Sequence, residues 1–338
     1  MKIWEPECQF GWKKENKMAY RFAFYTKDNF EQIQQMILDS YKWDFPIFGL
    51  SRFEFSAYLH PEFTGLYRVW ERTCGLWFDG DKIAGCAINE ANDEGDVFFL
   101  FDSRKRAEDI SLIEKMIHFA KTSMSVISDD KITRCVKLHI PKWHTTLKNL
   151  AEKSGFTNNN WNDRILILPF SNKKFDVSLP YGYTFATGTE VPAFYSANVH
   201  MAAFNYNIKD VKNSEKAFDD LRKAPHYNPE FSLYILDMDK RPVAFANIWY
   251  DEKMPYCELE PLSVAWWERR KGLATAILYE TANRIKEKFP QCNGMTGGDQ
   301  TFYEKIGFAE KATCEQYAWQ QEIFPSWDKR SEKIKYEI

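Results

Sequence analysis

The sequence predicts an α+β protein of two similar domains in tandem, each a mixed, mostly antiparallel twisted sheet flanked by helices. Three observations carry this prediction: an internal echo between the halves, hairpin-type strand pairs within each, and one long amphipathic helix per half. A length of 338 residues fits two domains of about 150 residues each better than one core. Apolar residues make up 44% and charged residues 28%, the balance of a chain that buries a core. Aromatic residues at 17% supply bulky core side chains and material for an aromatic-lined cleft.

The echo runs in the same order through both halves. Tyr20-Arg-Phe-Ala-Phe-Tyr-Thr resembles Tyr183-Thr-Phe-Ala-Thr-Gly-Thr, each a short alternating strand ahead of a helix, over 29–38 and 191–204. Leu76-Trp-Phe-Asp-Gly-Asp-Lys parallels Leu233-Tyr-Ile-Leu-Asp-Met-Asp-Lys. Both read as a strand entering a tight Asp/Gly-type turn and returning, over 83–89 and 242–250. Leu150-Ala-Glu-Lys-Ser-Gly-Phe aligns with Phe302-Tyr-Glu-Lys-Ile-Gly-Phe, and Gly155 and Gly307 stand where a short helix needs a left-handed stop. These matches divide the chain into residues 1–168, a linker over 169–182, and residues 183–338.

Bulk properties exclude several classes. The net charge is −3, with acids and bases interspersed, so no basic face is set out for nucleic acid. The seven cysteines, Cys8 among them, are odd in number and lack a Cys-x-x-Cys pair, which predicts reduced thiols and no metal site. No apolar run reaches the ~20 residues needed to cross a bilayer, and residues 1–20 lack the layout of a signal peptide. The expectation is a soluble cytoplasmic protein with no membrane or nucleic-acid partner.

Each half carries a longer helix, over 111–121 and 273–289. In the second, Leu273, Ile277, Leu278, Ala282 and Ile285 form one apolar stripe, and Pro290 ends it. Its start breaks an electrostatic rule. Arg269, Arg270 and Lys271 crowd the positive end of the helix dipole, where each misplaced cation forgoes ~0.3–1 kcal/mol. Gly272 disfavours helix but allows close approach to the backbone. Free amides, a glycine and cations together suit a phosphate or pyrophosphate.

This segment, Arg269-x-x-Gly272-x-Ala274-Thr275, resembles the pyrophosphate-binding loop of the GNAT acetyltransferase superfamily. It lies between a strand, Tyr256-Cys-Glu-Leu-Glu-Pro-Leu-Ser-Val, and a long helix, and Phe302-Tyr-Glu-Lys-Ile-Gly-Phe resembles the family's second motif. The likeness covers most of 183–321 and, more weakly, 20–168. It implies acetyl coenzyme A as the donor, held at its diphosphate by Arg269, Arg270, Lys271, Gly272, Leu273, Ala274 and Thr275. It places the pantetheine arm along Leu262, Ser263 and Val264, and makes Tyr303 the general acid for the departing thiolate.

Other features come from the residues themselves. Pro261 cannot donate to a sheet ladder, so a bulge or splay is expected there. Glu258 and Glu260 alternate with Leu259 and share one strand face, so either could take a proton from an amine. Asn198, His200, Phe204 and Asn205 are candidate cleft-lining residues. The first half departs from the pattern: after Val97-Phe-Phe-Leu-Phe comes Asp102-Ser-Arg-Lys-Arg-Ala-Glu-Asp, with no glycine and with Glu108 and Asp109 set to repel a pyrophosphate. That half is expected to lack a cofactor and to wall the acceptor cleft. The leading expectation is direct acetyl transfer to a small-molecule or peptide amine; the alternatives are a catalytically silent module that binds coenzyme A and a structural or interaction protein.

Overall fold

A computed structural model describes residues 20–58, 70–90, 95–129 and 132–323. The residues on either side of that span, Cys8 with them, lie outside it. In the first half the main elements are β1 (Arg21–Phe24), α1 (Phe30–Ser40), α2 (Leu50–Tyr58), β2 (Gly75–Asp79), β3 (Lys82–Ile88), β4 (Asp96–Phe101), α3 (Ile110–Phe119), β5 (Val126–Ile127), β6 (Thr133–Pro141), α4 (Thr145–Lys153) and β7 (Thr157–Pro169). The second half repeats the order with β8 (Thr184–Thr187), α5 (Ala193–Phe204), α6 (Val211–Leu221), β9 (Tyr227–Leu236), β10 (Pro242–Trp249), β11 (Glu258–Val264), α7 (Leu273–Lys288), β12 (Gly294–Gly297), α8 (Thr301–Lys305) and β13 (Ala309–Glu322). The echo in the sequence is thus an echo of elements. Gly155 and Gly307 adopt φ of 89° and 101° after α4 and α8, the left-handed stops their spacing predicted.

Among the described residues the strands form two sheets. One has the order β1-β2-β3-β4-β6-β13-β7-β12, with β5 beside β6; the other is β11-β10-β9-β8. Pairing is antiparallel throughout except between β4 and β6. The two longest strands cross the sequence division. β13, from the end of the chain, pairs with β6 of the first half over Cys314–Glu322, and β7 pairs with β12 of the second half.

Strand chemistry explains the exchange. β7 opens with Thr-Asn-Asn-Asn-Trp-Asn-Asp, largely exposed, and closes with Ile-Leu-Ile-Leu-Pro, where Leu166, Ile167 and Leu168 are buried. Leu166 and Leu168 join the core formed by Leu233, Ile248, Ile277 and Met295. Tyr317 of β13 joins the core of Val136, Leu138 and Ile140. Each fully buried aliphatic side chain contributes ~1.5–3 kcal/mol, so each half holds the other's last strand. No helix among the described residues is long and apolar enough to cross a membrane.

Candidate active site

The two sheets part between β11 and β12. These neighbours make one parallel bridge, Cys257 to Met295, with Cys257 N–H donating to Gly294 O at 3.0 Å and Thr296 N–H to Cys257 O at 2.9 Å. Leu259 N–H already turns to a side chain, Thr296 Oγ1, at 3.3 Å. Beyond it β11 pairs only with β10, and its register slips between Ile248/Leu259 and Ala246/Leu262. The bulge falls on Glu260-Pro261, where proline cannot supply a ladder hydrogen. Trp249 Nε1 and Asn247 Nδ2 take up the Glu260 carbonyl at 2.8 and 3.3 Å. Ala265 N–H bonds Val243 O. Alternation along an antiparallel strand then turns the main-chain groups of Leu262 and Val264 to the open edge. Ser263 is buried, and its Oγ has no hydrogen-bond partner.

The loop after β11 ends at Gly272, φ 79°, which precedes α7 with no side-chain cap. The first N–H groups of a helix have no intrahelical acceptor, so those of the first turn, Leu273 to Thr275, are available to an anion. Nothing lies within 4 Å of where a Gly272 Cβ would stand, so the approach to these amides is open. The Leu273 side chain is in the core and could contribute only its amide. Arg270 is also left-handed, φ 69°, a strain of the kind stored at functional sites.

The three cations at the helix start divide in their partners. Arg269 Nη2 donates to Ala203 O at 2.5 Å, a cation at the carboxyl end of α5, where it is favoured. Lys271 is bound to Glu268 at 2.8 Å and Tyr183 at 2.9 Å, and these bonds raise its pKa. Arg270 is exposed, with no hydrogen bond or ion pair among the described residues.

The structure also separates the two carboxylates that the strand pattern made interchangeable. Glu258 is buried and accepts from Tyr41 OH at 2.6 Å, Leu50 N–H at 3.1 Å and Ser51 N–H at 2.7 Å. It is the amino-terminal cap of α2, supplied by the opposite half, and its oxygens are occupied by donors. Gly49 leaves room for the approach, since a Cβ there would stand 2.3 Å from Glu258 Oε1 and push the carboxylate aside. Glu258→Ala, which orphans two helix amides and a buried phenol, is expected to cost about 3 kcal/mol. Urea unfolding measures this; a loss below about 1 kcal/mol would show that the cap does not hold α2.

The Glu260 carboxylate has no hydrogen bond or ion pair among the described residues. It lines a cleft of about 670 Å³, open to solvent, together with Arg52, Asp163, Glu258, Thr296 and Gly298. Glu260 is exposed to solvent, while the walls of the cleft crowd its carboxyl group. Those walls, with Glu90 and Glu258 nearby, raise its pKa to about 7 against the pull of Arg52. Tyr303, on α8, packs on Gly297 and Gly298, whose Cβ positions would come within 2.7 and 3.2 Å of the ring. Burial first, then the charge of Glu260, push its phenol to about 12, while a backbone hydrogen bond from Gly298 pulls the other way.

Arg52, Asp163 and Arg164, which line the cleft, went unread in the sequence. Arg52 on α2 reaches Glu90 at 3.0 Å and Asp163 at 3.9 Å, and its Nη1 donates to Ile47 O at 3.1 Å. A signal existed: α2 is aromatic and mostly buried, so Arg52 and Glu54 are costly there unless paired. Conversely, Asn198, His200, Phe204 and Asn205 do not line this cleft. His200 packs among Phe204, Tyr206 and Phe218, and burial lowers its pKa to about 4.

At the corresponding place in the first half, α3 begins at Asp109, whose carboxylate accepts from Leu112 N–H at 3.2 Å and from Tyr20 OH at 2.5 Å. The chain's own anion therefore sits on that helix start. Trp43 and Trp143, edge to face at 6.3 Å, stand beside β4 and the end of β6.

No protein-family model and no curated protein matches this sequence. Solved structures do match it. A tandem GNAT protein from the clavulanic acid biosynthesis pathway superposes with a TM-score of 0.59 at 11% identity, over 91% of this chain and 100% of that one. The GCN5-related N-acetyltransferase from Sphaerobacter thermophilus gives 0.55 at 15% identity, over 91% and 96%. This chain has the tandem GNAT fold. The fold likeness extends to a GCN5-related glucosamine N-acetyltransferase region of a fungal multi-domain β-N-acetylglucosaminidase, at 0.51 and 14% identity, over 90% of this chain and 38% of that one. The first two matches span both halves of this chain. At these identities the likeness concerns the fold, and the chemistry must be argued from the residues.

Proposed function

We propose that this chain is an N-acetyltransferase that moves an acetyl group from acetyl coenzyme A directly to an amine bound in the cleft, with one active site, in the second half. The observation that carries the reading is the parting of the sheets at β11. One strand presents free main-chain groups at Leu262 and Val264, leads into an uncapped helix start, and bears Glu260 at its bulge. The residues present fit the donor. The amides of Leu273, Ala274 and Thr275 behind Gly272, with Arg270 exposed beside them, suit a diphosphate. Leu262 and Val264 suit the amides of a pantetheine arm. Lys271 and Arg269 brace the loop against Glu268 and α5.

When bound, the donor supplies an activated thioester carbonyl whose carbon–sulfur bond breaks as the carbon–nitrogen bond to the amine forms. Glu260 takes the proton that the amine nitrogen loses, and a carboxyl titrating near 7 is matched to that task. Tyr303 hands its proton to the departing sulfur. The two groups are linked electrostatically: once Glu260 is neutralised by the amine's proton, the charge that held the Tyr303 phenol up is gone. Glu258 stays outside the chemistry and holds α2 in place.

The test combines titration of coenzyme A with release of free thiol from acetyl coenzyme A over a panel of amines. Amine-dependent thiol release is expected; tight binding with no release for any amine would leave only a silent binding module. Tyr303→Phe is expected to lower kcat by roughly 100-fold while coenzyme A affinity changes little. Equal losses in both would remove the acid role.

A further inference from the structure

The charges around Glu260 bear on which amine the cleft accepts. Four carboxylates, Glu90, Asp163, Glu258 and Glu260, stand in or against it, and the guanidinium groups present are Arg52 and Arg164. Arg164 is half-buried, paired with Glu304 at 2.8 Å, and its Nη2 donates to Asp299 O at 3.1 Å. Arg52 has Nε on Glu90, Nη1 on the Ile47 carbonyl and Nη2 toward Asp163. Nε and Nη1 are at hydrogen-bond distance from protein acceptors, and Nη2 stands 3.9 Å from Asp163, so a substrate carboxylate approaching Nη2 would meet the Asp163 carboxylate beside it.

The surplus is negative and sits on two residues. The Glu260 carboxylate has no hydrogen bond or ion pair among the described residues. Asp163 has only the long contact to Arg52 at 3.9 Å, while burial and the charge of Asp299 hold its pKa up. Both carboxylates lie within electrostatic reach of Arg52. Phe45, Pro46, Ile47, Ile165 and Leu259 supply the apolar part of the wall, which suits methylene groups.

We infer that the acceptor is a small aliphatic amine carrying a second positive charge and no carboxylate, with its reacting nitrogen at Glu260 and its second ammonium at Asp163. This rests on the acetyltransferase reading for its chemistry but not for its binding. Charge pairing in a partly desolvated cleft favours such an amine, and a carboxylate in the same place meets repulsion.

The probes are putrescine, n-butylamine and γ-aminobutyrate, equal in chain length and differing in the far group. In thiol-release assays putrescine is expected to exceed γ-aminobutyrate in kcat/KM by roughly 100-fold. Asp163→Asn is expected to lower kcat/KM for putrescine about tenfold more than for n-butylamine. Equal losses for the two amines, or γ-aminobutyrate used as well as putrescine, would overturn the inference. Calorimetric titration of the wild-type chain with each probe, without any thioester, keeps this separate from the transfer reading. Putrescine binding that weakens with salt, with none by γ-aminobutyrate, supports the acidic acceptor site even where no thiol is released. No binding by putrescine, or equal binding by both, overturns it.

Discussion

Glutamine in place of Glu260 lowers kcat by roughly 100- to 10,000-fold, the range expected when a general base is removed. The wild-type rate is expected to rise with pH through about 7, where Glu260 gives up its proton, and the variant to lose that limb. The same substitution stabilises the fold, and the sign can be worked out. The Glu260 carboxyl titrates at about 7 in the folded chain against an ordinary 4.5. Between these values the folded state binds more protons than the unfolded one, so stability falls as pH rises. Above about 7 the whole cost of an ionised Glu260 is present, and glutamine removes it. Solvent contact of the side chain screens the effect, leaving about 1 kcal/mol in favour of the variant at alkaline pH. Thermal unfolding and kcat measured across pH together check this. A variant both less stable at alkaline pH and unchanged in pH profile would make Glu260 a structural residue and remove it from the base role.

Gly272→Glu is expected to abolish retention on immobilised coenzyme A while the chain stays folded. The position has φ 79°, which costs a residue with a side chain ~1 kcal/mol or more. Space is not the obstacle, since nothing lies within 4 Å of the new Cβ. A carboxylate at a helix start is favourable to the helix itself, so α7 forms with its own anion on the site, as Asp109 does on α3. Against a diphosphate, that charge is repulsive by ~4 kcal/mol at contact distance in a partly screened environment, a loss of roughly 1,000-fold in affinity. Gly272→Ala separates the causes, for it carries the backbone cost without the charge. Retained affinity in Gly272→Ala and lost affinity in Gly272→Glu locate the anion site; undiminished binding in both would place it elsewhere.

Removing Glu260 is thus expected to make the chain more stable and less active, whereas removing Glu258, two residues away, is expected to unfold it more readily. The strand pattern gave no means of telling them apart. Period-2 alternation puts both on one face, and that much is right, since both line the cleft. What separates them is the amino terminus of α2, brought to Glu258 from more than 200 positions earlier in the chain. A helix cap from a distant segment leaves no local trace at the residue that provides it.

Much of the rest was readable because its causes are local. Alternation, turn residues and the apolar stripe of α7 come from backbone geometry over a few residues, so the order of elements and the left-handed stops at Gly155 and Gly307 follow from the chain alone. Pro261 announced the bulge in β11 because a missing N–H is a property of one residue. The cations before α7 were legible as an anomaly but not as three roles, since Glu268, Tyr183 and Ala203 become their partners only in space.

By itself the sequence determined the repeated α+β plan and the glycine-bearing turn at the start of α7. Tertiary structure decided that β7 and β13 trade places, that Arg52 and Asp163 border Glu260, and which of two alternating carboxylates stays unbonded. The physical reason is range: backbone conformation is set by neighbours in the chain, whereas the electrostatic surroundings of an acid are set by whatever packing brings within a few ångströms.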